Sequence, residues 1–166
     1  MKRRHFLILG AATGIVSSLP AKSTPHPTSA FRKVRATIAA VQAHMFPIGG
    51  TLPSATEMDT IGFLEETLFH PTYDRDIRAF VIEGAQELER RTDGEFLNYD
   101  TAHKEQALRA YEQTGYGANW LSRIMTLSME ALFGDPIYGS NKGEAGWKAL
   151  KSFGGEPRPR SRYINL

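Results

Sequence analysis

The sequence predicts an all-α protein: a single small domain of about five helices, an irregular Gly- and aromatic-rich C-terminal segment, and a signal peptide in front. Its 166 residues, 41% apolar and 23% charged, suit one compact domain with its own core. Apolar residues recur at helical spacing in four segments, a further helix is expected to start at Thr101, and no alternating apolar stretch indicates a strand. The predicted boundaries are a leader over 1–23, a linker over 24–30, a helical domain over 31–133, and a docking segment with a basic tail over 134–166.

The leader has the three parts of an export signal, which are a basic start, a short apolar stretch and an exit of small residues. The order Arg3-Arg4-x-Phe6-Leu7 is typical of twin-arginine signals. Two alternatives stay open: a general secretory signal with a chance arginine pair, and a leader that is retained as a membrane anchor. The apolar run is shorter than the ~20 residues that span a bilayer. Because the twin-arginine route carries folded proteins, we expect the leader to serve a cofactor-loaded partner.

The basic balance of the chain comes from this leader. The full sequence has 20 Lys and Arg against 18 Asp and Glu, and four of the basic residues, but no acid, lie in the first 23 residues. Without the leader the net charge changes from +2 to −2, so the charge does not indicate nucleic-acid binding. Cysteine is absent from the sequence, which excludes disulfides, Cys-ligated metals and covalently attached haem in this chain.

The Pro-rich, polar residues 24–30 predict an extended linker, in which Ser29 caps the helix that follows. Gly and Pro residues then delimit the predicted helices, which span 31–45, 57–69, 73–91, 101–112 and 118–133. The first has its apolar residues on one face, at Phe31, Val34, Ile38, Val41 and Met45. The fifth has apolar residues on most sides, so we expect it to be the central helix. Residues 95–100 are predicted to be extended.

Residues 133–155 differ in composition from the helical part, since six glycines lie among these 23 residues. Such a backbone costs entropy to order, whereas Tyr138, Trp147 and Phe153 offer large contact areas to a partner. We therefore expect a docking surface here. The alternative is that Tyr138 and Trp147 only attach this long connection to the helices. The basic tail is expected to lie along the partner or to stay mobile, and contact with an anionic membrane surface is the lesser alternative.

A set of residues in this segment carries a family resemblance: Asp135, Pro136, Tyr138, Gly139 and Asn141, followed by Gly146 and Trp147. Their order resembles the closing signature of the gluconate 2-dehydrogenase subunit 3 family. The first helix with its trailing Pro47, then Ala55 and the stretch Gly62-Phe63-Leu64, is similar to the opening region of that family. Many members have two glycines where this chain has Gly139-Ser140, which is a mild departure.

The resemblance implies a small accessory subunit of a large FAD-dependent dehydrogenase of the glucose–methanol–choline type, often with a c-type cytochrome subunit. Such a complex oxidises a sugar, polyol or sugar acid at the periplasmic face of the bacterial inner membrane. The small subunit carries the leaderless flavoprotein through the twin-arginine translocase and assists its maturation. FAD then belongs to the large subunit and haem c to the cytochrome, with no cofactor in this chain. The implied partner-binding residues are Asp135, Pro136, Tyr138, Gly139, Asn141, Gly146, Trp147 and Phe153.

The sequence shows no recognisable catalytic or metal motif. The five histidines have no metal-ligand spacing, and the adjacent Glu65 and Glu66 point in different directions on a helix. Glu130, on the apolar fifth helix, is the one acid whose burial we expect to matter. Catalysis by the chain itself is therefore not expected. The alternative function is a free-standing exported helical binding protein without a dehydrogenase partner.

Overall fold

The computed structural model describes residues 26–162, and within this range all regular structure is helical, which confirms the all-α prediction. The predicted leader, with Arg3, Arg4, Phe6 and Leu7, lies outside the described residues, as do the last four residues of the tail. The six α-helices are α1 Pro27–Met45, α2 Thr60–Phe69, α3 Arg75–Arg91, α4 Thr101–Glu112, α5 Gly115–Phe133 and α6 Ala145–Ala149. None of them combines the length and the hydropathy that a membrane span requires.

Helix α5 is the centre of the bundle and packs against each of the other four long helices, as its apolar circumference predicts. Its Trp120 is fully buried, and the indole N–H donates to the carbonyl of Val81 at 2.9 Å. The hydroxyl of Tyr111 donates to the carbonyl of Gly84 at 3.0 Å. These bonds tie α4 and α5 to α3, because a buried indole or phenol requires a partner for its polar hydrogen.

The predicted stripe of α1 is confirmed, since Phe31, Val34, Ile38 and Val41 are at most 1% exposed. The start of the helix was predicted too late. α1 begins at Pro27, so residues 27–30 are helical and do not belong to an extended linker. Proline is tolerated at the first helical position because its missing N–H would have no partner there.

Other predicted elements also differ from the structure, because local hydrogen bonds decide where a helix begins. α2 begins at Thr60 and not at residue 57, because the side chain of Asp59 caps the helix by accepting from the N–H of Gly62. α5 begins at Gly115, because the side chain of Thr114 caps the helix by accepting from the N–H of Gly117. Phe96–Asn98 form a 3₁₀ turn that buries Phe96, where an extended segment was predicted.

The C-terminal part is more regular than predicted. We call residues 134–162 the cap; it contains α6 and two 3₁₀ turns, Pro136–Tyr138 and Lys142–Glu144. Beside the main core, a second apolar cluster of Phe46, Ala55, Met58 and Leu132 joins the end of α5 to the connection between α1 and α2. The cap is therefore built on a surface to which the α1–α2 connection and the end of α5 contribute.

Candidate functional site

Asn141 holds the first part of the cap together from the inside. Its side chain is 0% exposed, donates to the carbonyl of Gly134 at 2.8 Å, and accepts from the N–H of Gly146 at 2.8 Å. Next to it, the buried hydroxyl of Ser140 donates to the carbonyl of Met58 at 2.7 Å. Both side chains satisfy buried backbone groups that the end of a helix and a turn would otherwise leave unpaired.

Trp147 attaches the second part of the cap to α5. It is 6% exposed, and its indole N–H donates to the carbonyl of Phe133 at 2.6 Å. The guanidinium of Arg158 lies 4.7 Å from the ring centroid, which is cation–π geometry. Gly154 crosses the ring so closely that a Cβ there would lie 2.2 Å from the indole. The contacts of Trp147 therefore come from its own chain.

Asp135 fixes the start of the cap and the position of the tail. Its carboxylate accepts from the N–H of Ile137 at 2.9 Å, which caps the turn that Pro136 opens. The other oxygen accepts from the guanidinium of Arg158 at 2.5 Å, and Arg158 also reaches Glu144 at 3.2 Å. The hydrogen bond from Arg158, and then that from Ile137, lower the pKa of Asp135. The tail is thus held by charge to this part of the chain, whereas it was expected on a partner or mobile.

The predicted partner-binding residues divide into two sets. Asn141, Gly146 and Trp147 are buried in the folded chain, so their contacts described above lie within it, and their part in partner binding stays a prediction. The alternative, that Trp147 attaches the connection to the helices, describes its contacts. Asp135 and Pro136 are half-buried and organise the turn. Tyr138, Gly139 and Phe153 are exposed at the surface, and Phe153 has the largest exposed fraction of the three, 78%. Gly139 has φ +89°, a conformation that favours glycine.

An open groove of about 400 Å³ lies between α2, the end of α5 and the cap. We call it the aromatic groove, because its lining is mostly apolar and includes three aromatic rings. Its walls include Phe63, Thr67, His70, Tyr73, Glu130 and Tyr138. Burial beside this lining is the main cause that raises the pKa of Tyr73. A concave apolar surface of this size with a few polar groups is typical of binding sites.

The rim of the aromatic groove carries two carboxylates. Glu66 pairs with Arg162 of the tail, whose guanidinium also donates to the carbonyl of Tyr138 at 2.9 Å. The side chain of Glu130 makes no hydrogen bond or ion pair with any of residues 26–162. Although solvent reaches this side chain, burial against the groove raises its pKa, and the nearby charge of Arg123 opposes that shift. Glu130 is thus an acid placed at an apolar wall without a bonded cation.

A second groove of similar size lies between α1, α4 and α5, and its rim differs in charge. Its apolar lining includes Met45, Leu108, Leu121 and Met125. On the rim, Glu105 accepts from His44 at 2.6 Å and from Arg109 at 2.8 Å, and these two bonds, in that order, lower the pKa of Glu105. The charged side chains on this rim are therefore already paired with one another.

Glu130 and Tyr138 were identified from the sequence, but the residues of the opposite wall of the aromatic groove were not. Phe63 stood in the stretch that carried the family resemblance, and nothing in its helical spacing distinguishes it from a core residue. Tyr73 lies in the connection before α3, where one side chain gives no periodic signal. In the part of the chain that the structure describes, no three His, Asp or Glu side chains converge so that they could hold a metal ion.

The fold and its surface define a small helical bundle with an ordered cap and an apolar groove beside it. The family model described as gluconate 2-dehydrogenase subunit 3 matches residues 33–155, well over half of the chain. The protein therefore belongs to the gluconate 2-dehydrogenase subunit 3 family, as the resemblance predicted. Membership implies a subunit of a multi-subunit dehydrogenase complex. Neither the curated proteins nor the solved structures gave a match.

Proposed function

We propose that this protein is the non-catalytic small subunit of a membrane-associated, periplasmic FAD-dependent dehydrogenase that acts on a sugar, polyol or sugar acid. The family match over residues 33–155 is the observation that carries the proposal. The leader with Arg3 and Arg4 supports export through the twin-arginine translocase. In this proposal the subunit escorts the leaderless flavoprotein across the membrane and stabilises it afterwards.

The proposal assigns a separate task to each part of the chain. The leader engages the translocase, and the bundle with its cap contacts the flavoprotein. FAD belongs to that large subunit, and haem c belongs to a cytochrome subunit where the complex has one. Exposed Tyr138 and Phe153 support a contact role for the cap, since large apolar side chains at the surface mark interaction sites.

The experiment first searches the genes next to that of this chain for a flavoprotein dehydrogenase, and then coexpresses the two proteins. The double variant Arg3→Lys/Arg4→Lys is compared with Arg32→Lys/Arg75→Lys, which makes the same chemical change at two exposed residues of the bundle. We expect the leader variant to hold both subunits in the cytoplasm, and the control to export both. Periplasmic flavoprotein in cells whose small subunit stays inside would overturn the escort role.

A second candidate function is a free-standing exported binding protein. The burial of Trp147 and Asn141 within their own chain favours it, because the cap needs no partner to cover these side chains. Light scattering of the native protein, purified from its periplasm under mild conditions, separates the two candidates. A complex that contains a flavoprotein supports the dehydrogenase subunit, and a monomer free of any oxidoreductase supports the second function.

A further inference from the structure

We propose that the aromatic groove receives a segment of the dehydrogenase subunit in which a Lys or Arg stands beside a large apolar side chain. The apolar side chain enters between Tyr73 and Tyr138, and the cation pairs with Glu130. This inference rests on the proposed function, and it adds the site and the chemistry of the partner segment. Three observations on the described residues support it.

The first observation is the shape and lining of the groove. Its volume of about 400 Å³ is large enough for one or two side chains but small for a helix. Phe63, Tyr73 and Tyr138 present apolar ring surface, and Tyr138 is 36% exposed in the free subunit. An inserted apolar side chain would remove this ring surface from water, which is the general driving force of association.

The second observation is the charge at the rim. The carboxylate of Glu130 lies at an apolar wall without a hydrogen bond or ion pair to residues 26–162, and burial raises its pKa. An ionised carboxylate in such a position is stabilised by a cation that arrives with the partner. The second groove offers no comparable acid on its rim, since Glu105 already accepts from His44 and Arg109.

The third observation is that the chain uses the same chemistry twice next to the groove. Arg158 pairs with Asp135 while its guanidinium lies over the ring of Trp147. Arg162 pairs with Glu66 and donates to the carbonyl of Tyr138. Both pair a guanidinium with a carboxylate, which is favourable when the site is partly desolvated; Arg158 also lies over an aromatic ring, whereas Arg162 donates to the backbone of an aromatic residue. Glu130 is the acid of this surface that the tail does not serve, so a basic partner segment completes the pattern.

The test uses the complex of this chain with the dehydrogenase subunit encoded beside it. A photo-crosslinking phenylalanine derivative replaces Tyr138, and in a control it replaces Leu97, which is 46% exposed on the Phe96–Asn98 turn. The replacement at Tyr138 keeps the backbone carbonyl that binds Arg162. We expect the Tyr138 derivative to crosslink to one dehydrogenase peptide that contains a Lys or Arg next to an apolar residue. The control should not label that peptide.

Charge reversal tests the role of Glu130 in the same complex. We expect Glu130→Lys to weaken binding to the dehydrogenase by roughly tenfold or more, because it places like charges together. The matched control is Glu83→Lys, which reverses an exposed acid of α3 and should leave the affinity within about twofold. Replacing the basic residue of the crosslinked peptide by Glu should restore the binding of Glu130→Lys.

The outcomes separate the two proposals. A wild-type chain that forms no complex with the dehydrogenase overturns the proposed function itself. A complex that forms normally with Glu130→Lys, or a Tyr138 crosslink to lipid or to a peptide without a basic residue, overturns only the inference about the groove. Crosslinking to a basic–apolar peptide, together with rescue by the charge swap, supports both.

Discussion

Trp147 should decide whether the cap stays attached to the bundle. Burying a Trp side chain removes about 150–250 Å² from water, which at about 25 cal/mol per Å² corresponds to about 4–6 kcal/mol. Its hydrogen bond to the carbonyl of Phe133 adds about 1 kcal/mol. Part of this free energy is recovered when neighbouring side chains relax into the vacated space. We therefore expect Trp147→Ala to lower the free energy that holds the cap to the bundle by about 3–5 kcal/mol.

The cost should be local because Trp147 contacts one end of α5 and not the main core. Limited proteolysis and amide hydrogen exchange over residues 134–155 measure the opening of the cap, and urea unfolding followed by circular dichroism measures the bundle. Trp147→Phe keeps most of the packing and loses only the N–H donor, so its effect should be smaller. Leu150→Ala is the control, since Leu150 is 54% exposed and its truncation should change stability by about 0.5 kcal/mol or less.

One result would refute this reasoning. If exchange and proteolysis over 134–155 are the same in Trp147→Ala and in Leu150→Ala, the buried indole does not hold the cap. The hydrogen bonds of Asn141 would then be the main attachment.

Two further predictions concern the core and pH. Gly84→Ala should destabilise the bundle by about 1–3 kcal/mol in urea unfolding, because the added Cβ would lie 1.9 Å from the Trp120 ring. The control is Gly115→Ala, which should be neutral or stabilising because an added Cβ there meets nothing within 4 Å. Equal effects of the two substitutions would contradict the close packing. Asp135→Asn should lower the melting temperature near pH 7, where Asp135 is ionised and bound by Arg158. Since the folded pKa of Asp135 is lowered, its contribution is fully present above its ordinary pKa and is lost as the pH falls through the lower folded pKa. The melting temperatures of the two proteins should therefore begin to approach each other below about pH 4 and coincide once the pH is below the folded pKa. A constant difference across pH would exclude the charge as its cause.

The sequence was sufficient for the bundle because helices are encoded locally. The spacing of Phe31, Val34, Ile38 and Val41 already placed them on one face, and all four are buried in the structure. The composition of α5 identified the central helix, which the packing confirms. Boundaries were less accurate, since they depend on single capping bonds such as that of Thr114.

The candidate site was predicted only in part, for a physical reason. In a Gly-rich segment without periodicity, the sequence does not indicate whether an aromatic side chain faces a partner or the chain itself. Trp147 and Phe153 were given the same role, yet one is 6% and the other 78% exposed. The sequence identified the segment and its family signature, but not the direction of its side chains.

By itself, the sequence determined the all-α class and the apolar stripes of the helices, because each depends on residues that are close together in the chain, and its motifs predicted the family. Only the tertiary structure decided that the cap folds back and that a groove opens beside it. The bonds responsible join Ser140 to Met58, 82 residues away, and Arg162 to Glu66, 96 residues away. Contacts over such distances depend on the packing of the whole bundle, which no local pattern specifies.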